Sequence, residues 1–363
     1  MSRWDVAIVG AGMAGASLAA EIASHVSVLL IEAEDHPGYH STGRSAAFWS
    51  ESYGGALVQP LTTASGPYLR EGGFLSPRGA LHIAGPDGLG ALDALEAECG
   101  PAVALQRVTG AELREHVPGL RAQWSEGLWE PSCADIDVAR LHGDYLGTAR
   151  RQGARLVAGA RVEQAVRSGG VWNIQTRGGT FEAVTIVNAA GAWADEVAAA
   201  CAVAPLGIRP FRRSLAQLRI DPPAPATLPL VIDALGSFYF KPEAGGRLWL
   251  SPHDETPCDP CDCAADELDV AVAIDRLQRA VAWRVERVER SWAGLRSFAP
   301  DRLPVYGFDP AAPGFFWFAG QGGFGIQTAP AAAKLGADLL LGRQPDPLVA
   351  PIDPTPYSPE RFR

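Results

Sequence analysis

Residues 4–34 read WDVAIVGAGMAGASLAAEIASHVSVLLIEAE, and this one stretch removes most folds from consideration. An apolar run of strand length enters a glycine turn, an alanine-rich helical segment follows, and a second apolar run ends at Glu32. Periodicity and turn residues alone make that a βαβ unit. Gly10, Gly12 and Gly15 form GxGxxG at the junction of strand and helix. A tight turn, close approach of backbone to a pyrophosphate, and close packing of helix on strand each exclude a side chain, and the helix N-terminus offers N–H donors to the anion. Glu32 follows Gly12 by twenty residues, where a carboxylate accepts ribose hydroxyls. The chain therefore reads as α/β, with a Rossmann-like dinucleotide site near its start.

The length of 363 residues, 47% of them hydrophobic, suits an enzyme of two domains with a large core. A net charge of −10, with no lysine-rich block or basic stripe, makes nucleic acid an unexpected partner. The chain enters its first strand without a basic and apolar leader, and no run is apolar enough to cross a bilayer, so a cytoplasmic location is expected. Reduced thiols fit that location. Of Cys99, Cys133, Cys201, Cys258, Cys261 and Cys263, only the last three cluster, as CDPCDC. No second CxxC or HxxxH pair completes a ligand set, so an exposed loop without metal is expected there.

Beyond the first unit, two kinds of material alternate. Residues 51–135 are broken by proline and glycine around a strand, ALHIAG, and an amphipathic helix, LGALDALEAEC. Residues 136–205 carry a long helix and then strands ending in TIVNAAGAWADEV, whereas residues 206–289 alternate apolar and polar as LAQLRI, SFYFKP and RLWLSP, in the manner of an antiparallel sheet. Residues 290–363 return to strand, glycine turn and helix. The expected organisation is a discontinuous cofactor domain (1–50, 136–205, 290–363) interwoven with an α+β substrate domain (51–135, 206–289) on a mixed, largely antiparallel sheet.

GxGxxG alone does not separate NAD from FAD. A strand end followed by small residues at Ala190 and Gly191, and a second glycine turn, GQGGFGIQT, before the last helix, do. An extended ligand spanning several loops, with a second helix dipole aimed at it, suits FAD.

With GAGMAGAS, GYHSTGRSAA, ADID, VNAAGAWAD, RRS, SFYFKPEAG, WAGLRSFAPD and GQGGFGIQT in this order, the chain resembles the FAD-dependent D-amino acid oxidase and dehydrogenase (DAO) superfamily, and within it the bacterial D-arginine dehydrogenases. The resemblance implies a glutathione-reductase-like FAD domain and a substrate domain whose sheet roofs the flavin. It implies FAD contacts from Met13, Ala14, Glu32, Ala33, Ser41, Thr42, Gly43, Arg44, Ser45, Ala46, Ala47 and Phe48, from Val162 near the adenine, and from Ala190, Gly191 and Trp193. Along the flavin it implies Gln321, Gly322, Gly323, Phe324, Gly325, Ile326 and Gln327. Relatives that tether the flavin do so through a C-terminal cysteine; none follows Cys263, so FAD is expected to be non-covalent.

Oxidising an amine beside a carboxylate requires an anchor for the carboxylate, a Cα–H aimed at the flavin N5, and a neutral amine. An arginine pairs bidentately with a carboxylate where lysine does not. The resemblance assigns this role to Arg296 and to Arg213, with Arg212 open as the alternative to the latter, and adds Tyr53, Tyr239 and Gln327, with Gly294 and Gly323 offering backbone groups. His82, His116 and His253 have no partner spacing that singles them out, and no general base is identified. D-arginine-handling relatives carry a histidine at Phe48 and a glutamate near Ala80; with both gone, the expected pocket wall is Phe48, Ala80, Leu230 and Ile232, with Trp49 and Trp249 near. A buried cation without a counter-charge is costly. The expected reaction is therefore oxidative deamination of a D-amino acid with an uncharged, apolar side chain, the electrons leaving to a quinone or O2. A secondary-amine or 2-hydroxy acid oxidoreductase, or a non-catalytic FAD-binding protein, is the alternative.

Overall fold

A computed structural model describes residues 3–363. The strand Arg3–Val9 runs parallel to Val28–Ile31 on one side and to Gly179–Asn188 on the other. All four residues of Val28–Ile31 are buried, because helices cover both faces of this sheet. It has eight strands, extended by the antiparallel pieces Val162–Ser168 and Val171–Thr176 at one side and by Phe315–Ala319 next to residues 186–188. Helices Met13–Ile22, Val138–Arg151 and Ala329–Leu341 share one face, and Ala194–Ala200 lies on the other. The alanine content of the first helix follows from this crowding: Ala16, Ala19 and Ala20 are buried against its neighbours. A Cβ on Gly15 would stand 1.9 Å from the carbonyl oxygen of Gly10, so turn and helix close only with glycine there.

A second sheet of ten strands is antiparallel except for one step, where Leu230–Asp233 lies parallel to Ala80–Ala84. Its long centre pairs Arg209–Asp221 with Arg284–Phe298. Strands from residues 80–130 and from 209–298 thus share one sheet, and its outer face is covered by Glu267–Ala280, whose start is capped by Asp266 accepting from the Leu268 and Asp269 amides. A boundary at 290 would cut Arg284–Phe298 in two; that strand is continuous and carries Arg296 at its inner end. A small third sheet joins Phe48–Trp49, Leu75–Pro77 and Ala134–Ile136. Among the described residues, no helix is long and apolar enough to cross a membrane.

Candidate active site

Between the two large sheets lies a continuous cleft of about 990 Å³. One end is built by the glycine turn. Gly10, Gly12, Met13 and Ala14 line it, with Glu32, Ala33 and Val162 beside them. Glu32 closes its strand with its carboxylate accepting from the Ala11 amide at 2.8 Å and the Glu34 amide at 3.0 Å, so the acid is fixed at the rim of the turn. Gly12 caps the first helix with no side chain of its own and lines the cleft together with Met13 and Ala14. His142 supports the turn from below, its Nε2 2.8 Å from the Ala11 carbonyl; sequence spacing gives no sign of this contact.

The middle of the cleft is lined by Ser41, Thr42, Arg44, Ser45, Ala46 and Ala47 on one strap, by Ala190, Gly191 and Trp193 on a second, and by residues 321–323 and 325–327 on a third. The strap's hydroxyls have protein partners. Thr42 accepts from the Met13 amide at 2.9 Å and Ser41 donates to the Leu295 carbonyl at 2.6 Å, which ties the strap to the first helix and to the second sheet. Arg44 pairs with Asp262 and donates to the Cys263 and Ala293 carbonyls, so its guanidinium holds the CDPCDC loop rather than pointing to a free charge site.

Tyr53, Arg213, Tyr239, Gly294 and Arg296 converge on the far end. Strand parity decides between the two neighbouring arginines: Arg213 lines the cleft, whereas Arg212 turns away to Asp269 at 2.8 Å. Phe48 stands between Tyr53 and Tyr239, with ring centroids 5.4 and 6.3 Å away. A Cβ on Gly323 would fall 1.9 Å from Nη2 of Arg296 and 2.6 Å from Oη of Tyr53; its bareness admits both side chains. Burial and the neighbouring Arg302 pull Arg296 down to about 9, still protonated at neutral pH. Gln327 is buried, donating to the Tyr53 carbonyl and to Thr62 and accepting from the Ser50 amide, so its amide positions the Tyr53 segment.

Several expected wall residues lie behind the cleft surface. Ala80 and Leu230 pair across neighbouring strands and are fully buried with Leu215 and Cys133. The same strand faces meet the cleft one period later, at His82 and Ile232. Trp49 is buried with its Nε1 on the Thr62 carbonyl, and Trp249 stacks edge-on against Trp292. Phe324 packs against Tyr53 and Phe298, and Gly43 serves a turn closed by the Gly38 carbonyl. His82 and His253, without distinction in the sequence, both line the cleft, while His116 stacks on Trp129 away from it. Desolvation lowers each of the two cleft histidines to about 4, leaving them neutral. His82 Nε2 lies 3.3 Å from Ser52 Oγ, which donates to the fully buried Glu130, a carboxyl raised by its own burial.

A cradle of this shape fits an extended dinucleotide: a glycine turn with a fixed acid at one end, and room beyond it for a ring system between the sheets. Glu32→Gln keeps an acceptor for the turn but removes the negative charge from this end of the cleft. It should weaken FAD binding about tenfold, read as the Kd for FAD of the apoprotein by flavin fluorescence.

The family of FAD dependent oxidoreductases abbreviated DAO matches residues 5–339. The chain is 28% identical to glycine oxidase of Pseudomonas aeruginosa over 98% of each protein, and 27% identical to glycine oxidase of Geobacillus kaustophilus over 93% of each. The crystal structure of glycine oxidase from Geobacillus kaustophilus superposes with a TM-score of 0.85 at 25% identity, covering 99% of this chain and 98% of that one. A bifunctional ThiO/ThiG protein of Synechocystis sp. is 28% identical over 69% of this chain, which spans 36% of that protein. These near-full-length alignments are with glycine oxidases, whereas the motifs resemble the D-arginine dehydrogenases of the same superfamily. The cofactor is FAD, and among the described residues no cysteine lines the cleft that would hold it. With a match from residue 5 to residue 339 and the same fold across its whole length, the chain belongs to the DAO family of FAD dependent oxidoreductases.

Proposed function

We propose that this oxidoreductase takes two electrons, as hydride, from the Cα–H bond of an amino acid held by its carboxylate while the amine gives up a proton to water, and that water then hydrolyses the resulting imine to the 2-oxo acid and ammonia. The observation that carries the reading is the pair Arg213 and Arg296, the first buried and the second largely so, both charged and both facing one end of the cleft beside Tyr53 and Tyr239. When bound, FAD supplies the two-electron acceptor. The chain supplies orientation. Two guanidinium groups fix a carboxylate, the tyrosine rings and Phe48 confine the group attached to Cα, and the neutral state of His82 and His253 adds no cation to repel an ammonium on entry.

The side chain this end accepts is uncharged: glycine itself, or a D-amino acid with a small or apolar group. Phe48 and Ile232 form its wall. Asp233 is occupied by the Leu235 and Ser237 amides and the Ser237 hydroxyl, and Glu98 lies at the exposed rim, so a guanidinium or ammonium in the interior meets no available carboxylate. The test is anaerobic flavin bleaching with glycine, D-alanine, D-methionine, D-leucine, D-arginine, D-lysine and the L-enantiomers. The uncharged D-amino acids or glycine should give the highest kcat/KM. D-arginine or D-lysine at the top would overturn the side-chain assignment, and an L-amino acid at the top would overturn the stereochemical one.

A further inference from the structure

The geometry points to Glu255 as the positioning residue that sets the spacing of the two substrate arginines, an inference that rests on the carboxylate reading above. Glu255 is not on the cleft surface. It stands on the outer side of the arginines, next to the short strand Thr256–Pro257 that pairs with Phe211 and Arg212. One of its oxygens, Oε1, accepts from Arg213 Nη2 at 3.3 Å and from Arg296 Nη1 at 3.2 Å. Arg302 closes the same carboxylate from outside, donating to Oε1 at 3.0 Å and Oε2 at 2.9 Å.

Sharing one oxygen has a geometric consequence. The two donating nitrogens of Arg213 and Arg296 are no further apart than the sum of their distances to it, so two long side chains from different strands are drawn onto one point. Arg213 gives Nη2 and Arg296 gives Nη1 to Glu255, and both side chains line the cleft. Arg213 is further held by its Nε on the Asp254 carbonyl at 2.7 Å and by the phenol of Tyr239 alongside. Arg296 lies with its guanidinium 5.7 Å from the ring centre of Tyr53. A planar guanidinium binds a carboxylate well only in the right orientation, and a second one helps only at the right separation.

Charge supports the same role. Three guanidinium groups outnumber the two carboxylates within 4.0 Å of them, Glu255 and Asp254, and leave the cluster cationic, so an entering carboxylate is attracted even with Glu255 in place. Without Glu255, three like charges face one another across a partly buried site, and Arg213 and Arg296 have every reason to part. A second role would also fit a carboxylate beside two anion-binding arginines: Glu255 could compete with the substrate for them. The two roles differ in sign. A brace that is removed weakens substrate binding; a competitor that is removed strengthens it.

The experiment uses FAD-loaded wild type, Glu255→Gln, Glu255→Asp and Arg296→Ala. Anaerobic bleaching by glycine and D-alanine gives the limiting rate and the apparent Kd separately, and acetate, a carboxylate without an amine, is titrated by its perturbation of the flavin spectrum. Glu255→Gln should raise the apparent Kd for D-alanine and for acetate about tenfold or more while the limiting rate moves much less, with part of the loss recovered in Glu255→Asp. Unchanged or tighter binding in Glu255→Gln overturns the brace. If Arg296→Ala binds acetate as wild type does, the carboxylate reading falls and the brace with it. If Arg296→Ala loses acetate and Glu255→Gln does not, the brace alone falls.

Discussion

Arg296→Ala should come off the column yellow and turn over its best amino acid with kcat/KM lowered by about 10²–10³-fold, the size expected when a largely buried, charged hydrogen-bond donor to the substrate is removed. The magnitude follows from its surroundings. Arg296 is packed beside the rings of Tyr53 and Phe298, with its guanidinium carbon 5.7 and 6.0 Å from their centres. Its charge is therefore already stripped of most water before substrate arrives, and an interaction with a carboxylate there is worth more than at the surface. Arg296→Lys should recover little, since a point charge on a flexible stem cannot reproduce the planar fork or the stacking. FAD should stay bound in both variants, because the glycine turn and Glu32 lie at the opposite end of the cleft. Absorbance at 450 nm relative to 280 nm would report cofactor content, and stopped-flow bleaching would report the chemistry. Turnover within a few-fold of wild type would remove Arg296 from the anchor role.

How much of this was legible beforehand depends on how local each feature is. The glycine turn, its helix and Glu32 occupy one continuous stretch, and their roles depend on neighbours within about thirty residues, so periodicity and spacing were enough. The strand Arg209–Asp221 shows the limit: its alternation is visible, but whether Arg212 or Arg213 faces the cleft depends on which face of the sheet meets it, and there Arg213, paired with Gly294, lines the cleft. The same parity explains Ala80 and Leu230. They share a face with His82 and Ile232, and only the depth of the cleft along the strand determines which pair it reaches. The cluster of Ser52, His82 and Glu130, and that of Glu255 with Arg213, Arg296 and Arg302, had no sequence signal at all. Each joins segments tens of residues apart through sheet pairing, and a lone glutamate or histidine in a sequence does not show its partners.

The buried histidines also fix how stability should vary with pH. His82 is buried and lowered from 6.5 to about 4 by desolvation, so the folded protein keeps it neutral where the unfolded chain would protonate it. Stability from this group is therefore fully present above pH 6.5 and is lost as pH falls toward 4, by about 3 kcal/mol in all, since each pKa unit corresponds to about 1.4 kcal/mol. His253 acts in the same direction, held at about 4 by desolvation and by the neighbouring Arg213. Glu130 works against them. Burial raises its carboxyl, so its contribution declines as pH rises above the ordinary carboxylate value of 4.5. The total slope between pH 4.5 and 6.5 thus mixes two signs, and the informative quantity is the difference between wild type and His82→Gln, in which the histidine alone is removed. Urea unfolding of the two proteins should show wild type losing about 3 kcal/mol relative to the variant between pH 7 and pH 4. A difference that stays flat over that range would mean that His82 is solvated in the folded protein and that the far end of the cleft is wetter than its packing against Ser52 and Ile232 implies.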